Sequence, residues 1–136
     1  MSLAPERAQA LTKPPAERQV VVLGASPKPA RYSNQAVRLL LERGFRVTPI
    51  HPKAESIEGL AVIERLERVT PPVDTLTLYV GPERLRPQID AILALAPERV
   101  IFNPGSECRG LEQRLDQAGI PWEQACTLVL LTTKNF

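Results

Sequence analysis

The sequence has few residues that could bind a metal ion or form a cross-link. Among its 136 residues there are two cysteines, Cys108 and Cys126, and one histidine, His51. A structural zinc site needs more such ligands than this, so we expect no metal. A single cysteine pair in a cytosolic domain is more often two free thiols than a disulfide.

Long apolar runs and a strong charge bias are also missing. No apolar stretch approaches the roughly 18 residues that span a bilayer, and the first 19 residues lack the apolar core of a secretory signal. The net charge is +2, whereas nucleic-acid-binding domains usually carry a clustered basic surface. We therefore expect a cytoplasmic protein with neither a membrane nor a nucleic acid as its partner. Whether it has a protein partner stays open.

The alternation of apolar, strand-like stretches with helical segments is typical of an α/β domain. The stretch from Val20 to Leu23 is continuously apolar and rich in β-branched residues, which is typical of a strand buried on both faces. Similar stretches recur about every 25 residues with helical segments between most of them, as in βαβ units. The predicted strands cover residues 20–24, 45–50, 75–80, 99–102 and 120–122. The predicted helices cover residues 33–44, 87–96 and 106–118.

These elements predict an α/β fold with a Rossmann-like, doubly wound, five-stranded parallel sheet. We expect the strand order 3-2-1-4-5 and helices on both faces. Residues 1–17 are predicted to form an N-terminal arm or short helix, and residues 18–136 a single domain. Residues 127–131 fit either a last helix or a last strand.

The loop at residues 24–34 is the most informative segment for function. Ligands of open parallel sheets bind beyond the carboxyl ends of the strands, next to the first strand. Gly24 allows a sharp turn and a close approach of the backbone to a ligand. Ser26 and Ser33 offer hydroxyl groups, and Ser33 is a good residue for beginning a helix. The free N–H groups of that helix would point at the same place.

The charges around this loop favour a bound anion. No acidic residue lies between Arg18 and Leu41, whereas Lys28, Arg31 and Arg38 do. Cations before a helix N-terminus oppose the helix dipole, at a cost of about 0.3–1 kcal/mol each. A bound anion would reverse that balance. The alternative is that Lys28 and Arg31 simply point into water.

The loop lacks the glycine fingerprint of dinucleotide-binding domains. Ser26 and Pro29 stand where the second and third glycines would be, and no Walker A sequence is present. NAD sites also use an acidic residue after the second strand, where this chain reads Ile50-His51-Pro52-Lys53. Lys53 would suit a phosphorylated ribose, either the 3′-phosphate of coenzyme A or the 2′-phosphate of NADP. It could equally be an ordinary surface lysine.

Several motifs along the chain resemble those of one family. Gly24, Ser26, Pro29, Arg31 and Ser33 follow the first strand in the pattern G-x-S-x-x-P-x-R-x-S. Further motifs are His51-Pro52-Lys53, Pro104-Gly105-Ser106-Glu107 and Cys126. Together they resemble the small CoA-binding proteins, related to the N-terminal domain of the succinyl-CoA synthetase alpha subunit. The chain departs from many relatives at Gln124-Ala125, where they have an Asp-Arg pair before the cysteine.

The resemblance implies coenzyme A as the cofactor and a set of binding residues. Gly24, Ala25 and Ser26 would approach the pyrophosphate, and Lys53 the nucleotide phosphate. Lys28, Arg31 and Ser33 would add charge and donors, and Pro52, Tyr79 and Val80 would flank the adenine or the pantetheine arm. Tyr32 and Gly105 complete the predicted site. For Tyr79, packing at a strand end is an equal alternative.

The sequence contains no recognisable set of catalytic residues. A lone histidine such as His51 is usually structural, and Glu107 fits a favourable charge at a helix start. Cys126 is either a packed core residue or a thiol that exchanges with that of coenzyme A. Whether any catalysis occurs therefore stays open.

Three functions remain at this point. The first is binding of coenzyme A or an acyl-CoA through the phosphate loop, as a non-catalytic carrier, sensor or partner module. The second is a small NADP-binding oxidoreductase or redox sensor. The third is a protein-interaction module with a vestigial cleft.

Overall fold

A computed structural model describes residues 13–136 and contains one parallel sheet with helices packed on it. Most of the predicted N-terminal arm lies outside the described residues, and its last part is a 3₁₀ turn at Pro15–Glu17. The strands of the main sheet are β1 (Gln19–Leu23), β2 (Arg46–Ile50), β5 (Thr75–Leu78), β6 (Arg99–Phe102) and β7 (Trp122–Gln124). A small hairpin is formed by β3 (Ser56–Ile57) and β4 (Leu60–Ala61).

Residues 13–136 also form five α-helices and two further 3₁₀ turns. The helices are α1 (Tyr32–Glu42), α2 (Pro82–Leu85), α3 (Ile89–Leu95), α4 (Arg109–Ala118) and α5 (Thr127–Thr132). The 3₁₀ turns are Leu66–Arg68 and Arg86–Gln88. The segment that fitted either a last helix or a last strand is therefore helix α5. None of the helices within residues 13–136 is both long enough and apolar enough to cross a membrane.

The sheet is buried on both faces by two separate hydrophobic clusters. Alternate residues of β1 point to opposite faces, so Val20 and Val22 join one cluster and Val21 and Leu23 the other. The first cluster packs against α1 and α5 through Val37, Leu40 and Leu131. The second packs against α2, α3 and α4 through Leu85, Ile92, Leu95, Leu111 and Leu115. The predicted fold class, with helices on both faces, is thus confirmed.

The predicted strand order is wrong. The observed order is β2-β1-β5-β6-β7, or 2-1-3-4-5 when the main strands are numbered along the chain. The third main strand, β5, lies beside β1 and not outside β2: Val20 pairs with Val47 on one side and with Thr75 on the other. β1 therefore has β2 on one side and β5 on the other. After β2 the chain crosses back over β1, and the later strands are added on the opposite side of it.

Pro49 explains why β2 forms an edge of the sheet. The carbonyl oxygen of Pro49 accepts a hydrogen bond from the N–H of Ile63 on the outer side of β2, at 3.0 Å. The nitrogen and the carbonyl of one strand residue face the same side, so the ring nitrogen of Pro49 also faces outward. Since it carries no hydrogen, a further strand there would lack a ladder bond. The segment ending at Ile63 covers this edge instead, as an isolated bridge with Ile50.

Candidate functional site

An open cleft of about 950 Å³ lies beyond the carboxyl ends of β1, β2 and β5. This is where open parallel sheets bind ligands, at the point where the chain changes direction across the sheet. One wall is the loop between β1 and α1. The opposite wall is formed by residues 64–65, 83–84 and 87–88. The volume is in the range of cofactor pockets.

Ten of the twelve predicted binding residues line this cleft together. They are Gly24, Ala25, Ser26, Lys28, Arg31, Tyr32, Ser33, Pro52, Tyr79 and Val80. The structure does not bring Lys53 and Gly105 into the lining with them. Every predicted residue of the loop therefore lines the cleft, whereas two of the five predicted residues outside the loop do not.

Local hydrogen bonds account for the placement of these two residues. Nδ1 of His51 accepts the backbone N–H groups of Lys53 and Ala54, at 3.0 and 2.9 Å, and so folds the chain into a tight turn with Lys53 exposed. The imidazole does here what an asparagine side chain does in an Asx-turn. Gly105 follows β6, one strand further from β1, and its N–H donates to Oε1 of Glu107 at 3.0 Å.

Asn34 fixes the conformation of the loop, a role that no sequence motif indicated. The side chain is fully buried, and its Nδ2 donates to the carbonyl oxygen of Ser26 at 2.9 Å and to Oε2 of Glu58 at 3.1 Å. Its Oδ1 accepts from Nε of Arg38 at 2.8 Å. The same guanidinium donates through Nη2 to the carbonyl oxygen of Pro29, also at 2.8 Å. Arg38, which was grouped with the loop cations, therefore fixes the loop from α1.

Gly24 allows the loop to pack closely against the end of β5, while it also lines the cleft. Its φ is +88°, a conformation that residues with a Cβ rarely adopt. A Cβ at this position would lie 2.8 Å from Cγ1 of Val80 and 3.0 Å from the carbonyl carbon and oxygen of Tyr79. The absence of a side chain thus allows the loop to rest directly on the end of β5.

The N-terminus of α1 faces the cleft without a side-chain cap. The helix begins at Tyr32, one residue earlier than predicted, and the residue before it, Arg31, is extended and makes no capping hydrogen bond. Ser33 is the second helical residue and is buried, so it is not the cap. The first turn contains no acidic residue. The leading N–H groups of α1 have no intrahelical acceptors, which leaves a partial positive charge at the loop.

Lys28 and Arg31 add two full positive charges at the same place. Both side chains are exposed, and neither forms an ion pair within residues 13–136. The loop backbone around them is ordered by local bonds, since the N–H of Lys28 donates to Oγ of Ser26 at 3.1 Å and the N–H of Arg31 to the carbonyl oxygen of Lys28 at 3.1 Å. The arrangement is suited to an anion.

Tyr79 lines the cleft and also packs against the hydrophobic core. Its ring packs against the cluster that contains Val20 and Val22, and its hydroxyl is buried without a hydrogen-bond partner among the described residues. Burial raises the pKa of Tyr79 to about 12. The hydroxyl of Thr127 opposes this shift, the nearby Cys126 thiol adds to it, and the hydroxyl of Thr77 opposes it. Those two hydroxyls are bonded to each other at 2.7 Å.

Tyr79→Phe is expected to change stability in a pH-dependent way. At neutral pH the variant should lie within about 1 kcal/mol of the wild type, because the hydroxyl has no partner to lose. The folded-state pKa is raised above the ordinary 10.0, so the contribution of the neutral phenol is complete below pH 10 and is lost as the pH rises toward 12. The wild type should therefore lose up to about 2–3 kcal/mol more than the variant over that range. Urea unfolding at pH 8, 10 and 11 measures this, and parallel pH profiles would contradict it.

The opposite wall contains four charged residues that the sequence did not point to. Glu64, Arg65, Glu83 and Arg84 line the cleft across from the loop. They come from the connection after β4 and from α2, neither of which contains a recognisable ligand motif. Within residues 13–136 no group of three or more metal-ligating side chains is present. Cys108 and Cys126 are both free thiols.

Known proteins match the chain in both sequence and structure. Residues 18–132 match the family described as CoA binding domain. A crystal structure of an uncharacterized protein is 37% identical, covering 88% of this chain and 98% of the other with a TM-score of 0.83. A Thermus thermophilus protein is 29% identical, with coverages of 97% and 98% and a TM-score of 0.84.

More distant matches share the fold or part of the sequence. A dinucleotide-forming acetyl-coenzyme A synthetase of Ca. Korarchaeum cryptofilum has the same fold at 23% identity and a TM-score of 0.68, over 79% of this chain and 25% of the synthetase. The uncharacterized Bacillus subtilis protein YneT is 22% identical over 68 residues, and the match spans 50% of each chain. Since the family match extends over nearly all of the described residues, the chain belongs to the CoA binding domain family.

Proposed function

We propose that the chain binds coenzyme A or an acyl-CoA in the cleft, as a non-catalytic carrier, sensor or partner module. The observation that carries the proposal is the uncapped N-terminus of α1, with the unpaired cations Lys28 and Arg31 beside it. A pyrophosphate supplies the negative charge that this arrangement lacks. When bound, coenzyme A would supply a thiol that carries acyl groups as thioesters.

The rest of the cleft fits the other parts of the cofactor. Pro52, Val80 and Pro87 give the lining apolar surface for an adenine ring or a pantetheine arm, in keeping with the apolar walls of most ligand pockets. No acidic residue stands directly after β2, where NAD sites use one for the ribose hydroxyls. Tyr32 is 72% exposed on the rim, which leaves its ring accessible to a ligand.

A binding role without catalysis is supported by the state of the candidate proton-transfer groups. Nδ1 of His51 is occupied by the two N–H groups of its turn. The hydroxyl of Tyr79 is buried, with its pKa raised by that burial to about 12, too high for proton transfer near neutral pH. Glu64 is 3.5 Å from the guanidinium of Arg68. We therefore assign no catalytic step to His51, Tyr79 or Glu64.

Titration calorimetry with coenzyme A, 3′-dephospho-CoA, NADP and NAD tests the proposal against its alternatives. Tight binding of coenzyme A in preference to both nicotinamide cofactors is the expected result. Preference for NADP would favour a small oxidoreductase. Binding of none of the four would leave a protein-interaction module with a vestigial cleft.

Arg31→Glu is expected to weaken coenzyme A binding by about 1.5–3 kcal/mol, the scale of a lost charge-assisted hydrogen bond. This corresponds to a dissociation constant roughly 10- to 150-fold higher. The substitution should leave the fold intact, because the side chain is exposed. Calorimetric titration of wild type and variant measures the effect.

Arg46→Glu is a matched control for this substitution. Arg46 is also exposed and stands at the first residue of β2, the end of the sheet opposite the cleft. The same charge reversal there should change the affinity for coenzyme A only a few-fold, through screened long-range electrostatics. Equal effects of the two reversals would remove the specific role assigned to Arg31.

A further inference from the structure

The two walls of the cleft belong to opposite faces of the sheet. The loop wall leads into α1, whose Val37 and Leu40 pack on one face. The opposite wall is anchored through Leu66 and Leu85, which belong to the cluster on the other face. A ligand lying across the carboxyl ends of β1 and β5 would therefore contact both walls at once.

Each wall presents two positive charges to the cleft. Arg65 and Arg84 line the wall opposite to Lys28 and Arg31, and like them they form no ion pair within residues 13–136. Both arginines are exposed, Arg65 just before the 3₁₀ turn and Arg84 within α2. The loop wall accounts for only half of the positive charge in the cleft lining.

The acidic neighbours Glu64 and Glu83 form no ion pair with these arginines within residues 13–136. Glu64 lies with Oε1 3.5 Å from Nε of Arg68, which is outside the cleft lining. The carboxylate of Glu83 folds back toward Gly81, with Oε1 2.8 Å from the position that a Cβ there would take. The guanidinium groups of Arg65 and Arg84 are thus left to interact with solvent or with a ligand.

We propose that Arg65 and Arg84 form a second anion site, which binds an anionic group of the cofactor distant from its pyrophosphate. The inference rests on the proposed function and adds a specificity determinant to it. The group is a phosphate monoester or a carboxylate, because a guanidinium can bind either through two parallel hydrogen bonds. The 3′-phosphate of coenzyme A and the terminal carboxylate of a dicarboxylic acyl-CoA are the two sources of that chemistry. Lys53, the residue that the sequence suggested for a ribose phosphate, lies outside the cleft lining.

The test compares two double variants by calorimetric titration. The first is Arg65→Gln with Arg84→Gln. The matched control is Arg86→Gln with Arg109→Gln, which removes two exposed arginines outside the cleft lining. The ligands are coenzyme A, 3′-dephospho-CoA, acetyl-CoA and succinyl-CoA. We expect the first variant to bind at least one of them roughly 10- to 100-fold more weakly than the wild type, and the control to stay within about threefold.

The choice of ligand identifies the anionic group. If the first variant binds coenzyme A more weakly than the wild type does but binds 3′-dephospho-CoA equally well, the second site holds the 3′-phosphate. If the wild type prefers succinyl-CoA to acetyl-CoA and the first variant does not, the site holds the acyl carboxylate. Arg65→Lys with Arg84→Lys keeps the charge but not the paired hydrogen bonds, and it should give an intermediate loss.

The failure of this inference is distinct from the failure of the proposed function. Unchanged affinities of the first variant for all four ligands, with tight binding by the wild type, would overturn the second site and leave coenzyme A binding in place. No binding of any ligand by the wild type would overturn both. Urea unfolding of each variant verifies that the fold is retained.

Discussion

Replacing Gly24 by alanine is expected to lower the free energy of unfolding by about 2–5 kcal/mol and to weaken coenzyme A binding at the same time. A residue with a Cβ is strained at the φ of +88°, by about 1–3 kcal/mol. The added Cβ would also meet the backbone of Tyr79 at 3.0 Å and Cγ1 of Val80 at 2.8 Å. The loop would have to lift off the end of β5, and the N–H groups at the start of α1 would move with it. Urea unfolding and titration with coenzyme A measure the two effects.

Gly105→Ala is the matched control for this substitution. Gly105 has almost the same backbone conformation, with a φ of +93°, but a Cβ there would meet no atom within 4 Å. The control therefore carries the backbone strain without the collision, and we expect it to cost about 1–2 kcal/mol. The difference between the two variants isolates the contact between the loop and β5. Equal losses in both would mean that the contact contributes nothing.

Removing the carboxylate of Asp74 should destabilise the protein by about 3–5 kcal/mol, the usual cost of leaving one member of a buried ion pair alone. Asp74 and Arg18 are only 6% and 5% exposed, and Nη2 of Arg18 lies 3.2 Å from Oδ1 of Asp74. The guanidinium also stacks on the rings of Phe45 and Phe136, at 5.0 and 5.5 Å from their centroids. Asp74→Ala leaves this charge buried without its counter-ion, which equilibrium unfolding in urea at pH 7 would register.

Two further variants make the Asp74 prediction specific. Glu98→Ala breaks the exposed pair with Lys13, whose side chains are 49% and 44% exposed, and it should cost less than about 1 kcal/mol. Combining Asp74→Ala with Arg18→Met removes both buried charges and should recover a large part of the lost stability. If the single Asp74 variant were no less stable than the Glu98 variant, the buried pair would not be a major support of the fold.

The fold class could be predicted from the sequence because the apolar pattern of a strand buried on both faces is strong. The stretch from Val20 to Leu23 has no polar position, and all four residues are buried. The order of the strands could not be predicted from such patterns, since β2 and β5 are both short and both mix apolar with polar residues. The one local sign was Pro49, which restricts β2 to an edge of the sheet.

The part of the candidate site that is continuous in sequence could be predicted, whereas the part brought together by tertiary packing could not. The loop between β1 and α1 is continuous in sequence, so a motif can describe it and its residues line the cleft. Arg65 and Arg84 reach the opposite wall only because Leu66 and Leu85 pack on the sheet. Glu58 reaches Asn34 through the turn of the β3–β4 hairpin, where Glu58 and Gly59 both have positive φ. Such placements depend on tertiary packing, which no spacing along the chain encodes.

The buried ion pair of Arg18 and Asp74 lies at the end of the sheet opposite the cleft. Arg18 and Gly24 are separated by the length of β1, about 20 Å at ~3.3 Å per residue. Substitutions that far apart, with no shared partners, generally act additively. Selection can therefore alter the ligand preference at the carboxyl edge while the amino edge keeps the domain folded. Changes in what the cleft binds therefore leave the stabilisation by Arg18 and Asp74 unchanged.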